Sequence, residues 1–231
     1  MSARTVSRAL LIGAAVSVVG SVLVSSAQAD TIYTIGVPNA ALSVDTGPYA
    51  TVDVHLVNAT NATITFTSLD NGGFRYLMGA AQVADVNVNA ASFSIGSISA
   101  SNSIPGFLLA SGPVSNGGSG NVSTFGNFNQ TLDSFDGFTH SSTLISFALT
   151  DISGTWADSS SVLKANANGF LAAVHSFACA DPCSSAQTNV LTGFAGNSPV
   201  PGPIAGAGLP GLVAACGGIL VLARRRRQII A

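Results

Sequence analysis

The sequence predicts an all-β body, an antiparallel β-sandwich of the jelly-roll or Ig-like type, between an N-terminal signal helix and a C-terminal transmembrane helix. Apolar and polar residues alternate with a period of two in several segments between residues 30 and 198, which is typical of strands with one buried face. Clusters of Asn, Asp and Gly separate these segments, as turns require. Sustained helical periodicity is absent outside the two end segments, so short strands in a sandwich are the natural architecture.

Residues 1–29 have the organisation of a secretory signal peptide. A basic start precedes the apolar stretch Ala9–Val24, and Ala27 and Ala29 form an Ala-x-Ala cleavage site. The apolar stretch is shorter than the roughly 20 residues that a membrane-spanning helix needs. We therefore expect the general secretion machinery to export the chain and signal peptidase to leave Asp30 as its first residue. An uncleaved N-terminal anchor is the alternative.

The body, residues 30–198, contains nine segments that we expect to be strands. The clearest is Tyr49–Asn58, where Val52, Val54 and Leu56 alternate with polar residues. In Ala84–Asn89 the same alternation predicts that Asp85 lies with its polar neighbours on a solvated face. The predicted strands are Thr31–Ile35, Tyr49–Asn58, Thr63–Ser68, Phe74–Gly79, Ala84–Asn89, Ser92–Ser99, Thr143–Thr150, Gly169–Ala178 and Asn189–Ala195.

The pattern lapses between Ser101 and His140, where glycine, proline and serine predominate. This composition predicts a long loop or insertion with some short strand. Phenylalanines recur inside the segment, at Phe125, Phe128, Phe135 and Phe138. We expect them to pack the loop onto the core. The alternative is an exposed aromatic surface for a sugar or another partner.

Charge is scarce and unevenly distributed. The 231 residues include 8 Lys or Arg and 10 acidic residues, all of them Asp. Six of the basic residues lie in the two end segments, which leaves Arg75 and Lys164 in the body and gives it a formal charge of −8. Two cations cannot neutralise many phosphates, so nucleic acid is excluded as a partner. So low a charged fraction is also untypical of a cytosolic enzyme.

Cys179 and Cys183 are separated by a short Ala-Asp-Pro segment. In an oxidising compartment two nearby thiols form a disulfide, and we expect one here. A redox-active pair would need a Cys-x-x-Cys motif, and a cysteine-ligated metal would need two more ligands that the sequence does not supply. We therefore predict no metal and no cofactor for this pair.

The sequence gives little support for catalysis. A hydrolase would combine one of the histidines (His55, His140 or His175) with a serine and an aspartate, but neither Gly-x-Ser-x-Gly nor His-Glu-x-x-His is present. His55 and His175 fall in predicted strands, where we expect hydrogen-bonded structural imidazoles. Carboxylates near loops could bind Ca²⁺, but no Asp-x-Asp-x-Asp-Gly motif supports it; they are Asp133, Asp136, Asp151 and Asp158.

The C-terminal segment, residues 199–231, is predicted to be a membrane-associated tail. The apolar run Ile204–Ala223 would reach roughly 30 Å as a helix, the thickness of a hydrocarbon core. The basic residues that follow would stay on the cytoplasmic side and place the body outside the cytoplasm. They are Arg224, Arg225, Arg226 and Arg227.

A short motif, an apolar glycine-rich helix and a terminal arginine cluster follow one another in this tail, and the order resembles the sorting tail of PEP-CTERM proteins. The motif here is Val200, Pro201, Gly202 and Pro203. The family's Pro-Glu-Pro is thus Pro-Gly-Pro in this chain, as in a variant subgroup. The resemblance implies processing by an exosortase, a membrane-embedded cysteine protease or transpeptidase of Gram-negative bacteria. A plain single-span anchor is the alternative. Thr143–Ala180 resembles extracellular bodies of the same family more weakly.

These observations predict a non-enzymatic structural or adhesive protein of the cell surface or exopolysaccharide matrix. It would be sorted by an exosortase-like enzyme after transient anchoring of residues 204–223 in the inner membrane. Exopolysaccharide is a further candidate partner. The first alternative is an extracellular carbohydrate-binding module that uses the phenylalanine-rich segment, and the second is an envelope hydrolase.

Overall fold

The computed structural model describes residues 29–107, 114–134 and 137–198, and in these residues the protein is all-β and antiparallel. All nine predicted strands are present with slightly shifted bounds, so the predicted fold class is confirmed at this level. Three single 3₁₀ turns occur at Ser123–Phe125, Phe138–His140 and Ser159–Ser161. The strands are β1 Thr31–Pro38, β2 Ala50–Asn58, β3 Asn61–Ser68, β4 Asp70–Asn71, β5 Phe74–Met78, β6 Ala84–Val86, β7 Phe93–Ser101, β8 Val114–Val122, β9 Gly126–Ser134, β10 Leu144–Asp151, β11 Ala172–Ala180 and β12 Leu191–Asn197.

The strands form one continuous, nearly closed sheet. Its hydrogen-bonded order is β7-β10-β3-β2-β1-β12-β11-β6-β9-β8, and β5 pairs with both β11 and β4. The two end strands, β7 and β8, approach each other. Strand β11 pairs with β12, β5 and β6, and this part of the sheet carries the features described below.

The main core is built from the apolar positions of the alternating strands. On β3 and β10, Phe66 lies opposite Ile145 and Ile64 lies opposite Phe147, and all four side chains are buried. Strands β5, β6, β9 and β11 contribute to the same cluster. Trp156 closes it from a loop, and its indole N–H donates to the Asn89 carbonyl at 2.9 Å. Period-two burial is therefore the feature that sets which face of each strand turns inward.

The segment Ser101–His140 contains more strand than its composition predicts. Two nine-residue strands, β8 and β9, pair as an antiparallel hairpin where a long loop was predicted. Phe125 and Phe128 are 2% and 1% exposed, and Phe138 is partly buried against a second apolar cluster. The expected packing onto the core is confirmed for these three residues, and they do not form an exposed aromatic surface. Phe135 lies outside the described residues.

A second correction concerns the polar face predicted for Ala84–Asn89. Asp85 is completely buried and Asn87 is 8% exposed, so neither side chain is solvated. The Asn87 amide donates to the Lys164 carbonyl at 3.0 Å, which satisfies it inside the protein. Alternation correctly placed these residues on the face opposite Ala84 and Val86, but that face is covered.

The two end segments fall outside the described residues except for Ala29 and Asp30. The predicted signal helix, the motif Val200–Pro203, the span 204–223 and the arginines 224–227 all belong to them. Within the described part of the chain, no helix has the length and apolar character needed to cross a membrane.

Candidate functional site

Cys179 and Cys183 are joined by a disulfide at the end of β11, with an S–S distance of 2.01 Å and Cα atoms 5.3 Å apart. Gln187 holds the loop that the disulfide closes. Its side-chain amide accepts from the Ala180 N–H at 3.1 Å and donates to the Pro182 carbonyl at 3.1 Å. The loop is therefore fixed by a covalent bond and by side-chain hydrogen bonds.

A cleft of about 600 Å³ lies between this disulfide loop and the β4–β5 hairpin, and we call it the hairpin cleft. Its walls include Asp70, Phe74 and Arg75 from the hairpin and Asp181 from the disulfide loop. The Asp181 N–H donates to the Gly73 carbonyl at 2.9 Å. This backbone contact ties the loop to the hairpin turn and keeps the two walls in register.

The hairpin presents a paired cation and anion to the cleft. Arg75 donates from both Nε and Nη2 to the Asp70 carboxylate, with the Nη2–Oδ2 distance at 2.5 Å. Such fork-like pairing orients a guanidinium rigidly. Gly72 and Gly73 have φ of 59° and 84°, the left-handed values that a two-residue hairpin turn needs. The sequence identified this turn, but it did not indicate that the turn and the disulfide form one cleft.

The histidines occupy separate structural positions. His55 on β2 lies 2.6 Å from the Asp30 carboxylate, at an exposed surface. His175 on β11 stacks on Phe194 with ring centroids 4.2 Å apart, and its Nε2 lies 3.0 Å from the Thr192 hydroxyl. Both imidazoles have hydrogen-bond partners inside their own sheet environment, as structural residues do.

Two of the loop carboxylates that could bind Ca²⁺, Asp151 and Asp158, accept local hydrogen bonds. Asp151 accepts from the backbone N–H groups of Ser153 and Gly154, both at 2.9 Å. Asp158 caps a 3₁₀ turn by accepting from the Ser161 N–H at 2.8 Å. Asp136 lies outside the described residues. Among residues 29–107, 114–134 and 137–198, no three His, Cys, Asp or Glu side chains lie together in one cluster.

Asp85 on β6 is a buried acidic residue within the described part of the chain. Its side chain is fully buried, and neither carboxylate oxygen has a hydrogen-bond partner within the protein. Burial raises the pKa of Asp85 well above 3.8, and the nearby Asp133 carboxylate raises it further. A carboxyl group in this environment retains its proton to a higher pH than in the unfolded chain.

We predict that Asp85 makes stability fall as pH rises. Below the unfolded-state pKa of 3.8 both states hold the proton, and above it only the folded state does, so the unfolded state gains up to about 1.4 kcal/mol per pH unit. The loss continues until the raised folded-state pKa is passed. Asp85→Asn has no such proton. In urea unfolding in EDTA from pH 4 to pH 7, the free energy of unfolding of the variant should therefore rise relative to that of the wild type. A difference that is independent of pH would contradict this.

Comparison with known proteins gave no match: no family model, no curated protein and no solved structure is similar to this chain. Its geometry therefore has to be interpreted from its own residues. The hairpin cleft is the candidate binding site.

Proposed function

We propose that the chain is an exported, non-enzymatic structural or adhesive protein of the cell surface or exopolysaccharide matrix. The observation that carries the proposal is the order of a signal peptide, a body and a PEP-CTERM-like tail along one chain. An exosortase-like enzyme would recognise residues 200–203 together with the span 204–223. The span would anchor the body in the inner membrane only until that processing step.

The body has the chemistry that such a destination favours. The disulfide between Cys179 and Cys183 is a bond that persists in oxidising compartments outside the cytoplasm. The formal charge of −8 on residues 30–198 favours solubility and discourages binding to anionic polymers. These properties support a protein that works among neutral, hydroxyl-rich polymers.

The finer architecture in this proposal is a two-layer sandwich of the jelly-roll or Ig type. One apolar cluster receives side chains from β2, β3 and β10 on one part of the sheet path and from β6, β9 and β11 on another. A sheet that folds over a shared core in this way supports two facing layers.

Deleting the gene from its Gram-negative host tests the structural role. We expect the deletion strain to retain less polysaccharide matrix and to adhere less to surfaces, and the full-length gene should restore both properties. Matrix retention and adhesion can be measured by dye binding and by counting attached cells. Unchanged values in the deletion strain would contradict the proposed role.

A second candidate function, a carbohydrate-binding module, is favoured by the hairpin cleft. The exposed Asp70 carboxylate and the Arg75 guanidinium supply acceptors and donors for sugar hydroxyls, and the half-buried Phe74 ring supplies an apolar surface. The phenylalanines of residues 125–138, on which the sequence hypothesis relied, are packed inward. The cleft is therefore the place where we locate glycan binding.

Arg75→Ala tests the cleft, because Arg75 and Lys164 are the two basic residues of the body. Lys164 is exposed and does not line the cleft, so Lys164→Ala is a control matched in charge. We expect Arg75→Ala to weaken binding of exopolysaccharide purified from the host by about tenfold, because a hydrogen bond to a charged group contributes about 1.5 kcal/mol or more. Equal effects of the two substitutions in a pull-down titration would contradict binding at the cleft.

A further inference from the structure

Asp85 lies at the centre of three paired strands. It is opposite Ala173 of β11 on one side and opposite Thr131 of β9 on the other. Its neighbours Ala84 and Val86 belong to the main core, so the Asp85 side chain projects from the other face of the sheet. There it is completely buried, with both oxygens unpartnered within the protein.

Two further oxygen-bearing side chains share this face on β9. Thr131 is the direct cross-strand neighbour of Asp85, and Asp133 is the diagonal neighbour. The Asp133 Oδ1 atom accepts from the Gln82 N–H at 3.0 Å, which fixes the orientation of this carboxylate. We call Asp85, Thr131 and Asp133 the Asp85 pocket.

Glycine in β8 leaves space at this pocket. A Cβ atom on Gly117 would lie 2.6 Å from Asp133 Oδ2 and 2.7 Å from Thr131 Oγ1, closer than real Cβ contacts allow. These two oxygens therefore occupy the space that a side chain at residue 117 would need. A Cβ atom on Gly120 would similarly lie 2.8 Å from the Gln82 side-chain nitrogen. Gly117 and Gly120 are thus required by what faces them from β9 and from residue 82.

The loop that covers the pocket has an unusual backbone. Ala80 and Gln82 have φ of 67° and 55°, although neither is glycine. Left-handed values in such residues cost free energy and persist only where the surroundings enforce them. Here that conformation places the Gln82 N–H on the Asp133 carboxylate, so the covering loop and the pocket are built as a unit.

We propose that the Asp85 pocket binds Ca²⁺. Asp85 is fully buried and Asp133 is partly buried on the same sheet face, and no Lys or Arg of the described residues neutralises them, because Arg75 is paired with Asp70 and Lys164 is exposed. A cation shared between them removes that cost. Every side-chain ligand available is an oxygen, which suits the hard cation Ca²⁺, and sites in extracellular modules bind it with dissociation constants of roughly 0.1–1 mM. The remaining ligands would be water.

Thermal unfolding of the purified full-length protein tests the site. From EDTA to 10 mM CaCl₂ we expect the Tm of the wild type to rise by about 3–10 °C. The same concentration of MgCl₂ should raise it less, since Mg²⁺ gives up its water reluctantly. Asp85→Asn should abolish the Ca²⁺ response, whereas the exposed control Asp181→Asn should retain it.

Asp85→Asn replaces a buried carboxyl group by an amide of the same shape, so we expect the variant to fold and to be at least as stable as the wild type in EDTA. Calorimetric titration of the wild type with CaCl₂ gives an independent measurement and should yield one site per chain. Three results would each overturn the assignment: no Ca²⁺ response in the wild type, an equal response in Asp85→Asn, or an equal response to MgCl₂.

Discussion

Removing Gly202–Ala231 is expected to abolish delivery of the protein to the cell surface. The shortened chain keeps the predicted signal peptide and should still leave the cytoplasm, but it lacks the apolar segment and the arginines that would hold it for processing. We expect the amount of protein in the surface fraction to fall by roughly tenfold or more, because nearly all of the shortened chain would be missorted. The protein should accumulate instead in the periplasm or the medium. Immunoblotting of fractionated host cells measures both quantities.

The arginine cluster supplies a matched pair of control variants. Replacing Arg224–Arg227 by lysines keeps the positive charge that sets membrane orientation, and replacing them by serines removes it. Because positive charge sets the membrane orientation, we expect the lysine variant to be delivered and the serine variant to be missorted. Normal surface delivery of the chain that lacks Gly202–Ala231 would contradict sorting through the tail.

Phe128→Ala is expected to cause a large loss of stability. Phe128 is 1% exposed on β9 and belongs to a cluster with Val122, Phe125 and Ala173. Truncation of a buried phenylalanine leaves a cavity and costs about 3–5 kcal/mol, a large share of the 5–15 kcal/mol typical of a domain. Guanidinium unfolding followed by tryptophan fluorescence at Trp156 measures the change.

Ile152→Ala is the control, because Ile152 is a large apolar residue that is 64% exposed. We expect a change within about 0.5 kcal/mol for it. If Phe128→Ala were equally mild and instead weakened glycan binding, the phenylalanines would be a binding surface. That result would contradict the packing of β9.

Strands could be predicted where one face of the sheet meets the main core. In β2 and β3 every second residue is apolar, so the sequence itself records which side is buried. The sequence of β8 shows no such alternation. Two of its glycines, Gly117 and Gly120, lie where Asp133, Thr131 and Gln82 occupy the space that a side chain would need. A glycine-rich segment is indistinguishable from a loop on composition alone.

The position of Asp85 shows a different limit. Alternation in Ala84–Asn89 correctly separates Asp85 from the core-facing residues, but it cannot indicate what lies over the opposite face. On that face Asp85 has Thr131 and Asp133 of β9 as neighbours, and the Gln82 N–H donates to the Asp133 carboxylate. Each is distant in sequence from Asp85 or has unusual backbone geometry, so the burial of this carboxylate follows from the tertiary structure.

The hairpin cleft combines a predictable part with an unpredictable one. The Asp70–Gly73 turn and the pairing of Cys179 with Cys183 both follow from local sequence. Their contact depends on the Asp181 N–H reaching the Gly73 carbonyl, a hydrogen bond between residues more than a hundred positions apart in the chain. Local patterns therefore identified both walls of the cleft but not the cleft.

The intact mass of the mature protein, purified from a Gram-negative host that carries an exosortase, tests the central proposal most directly. We predict a chain that begins at Asp30 and ends before the apolar run Ile204–Ala223, with any group added during processing visible as extra mass. A mature chain that still carries residues 1–29 or the arginines 224–227 would contradict export through the two terminal signals.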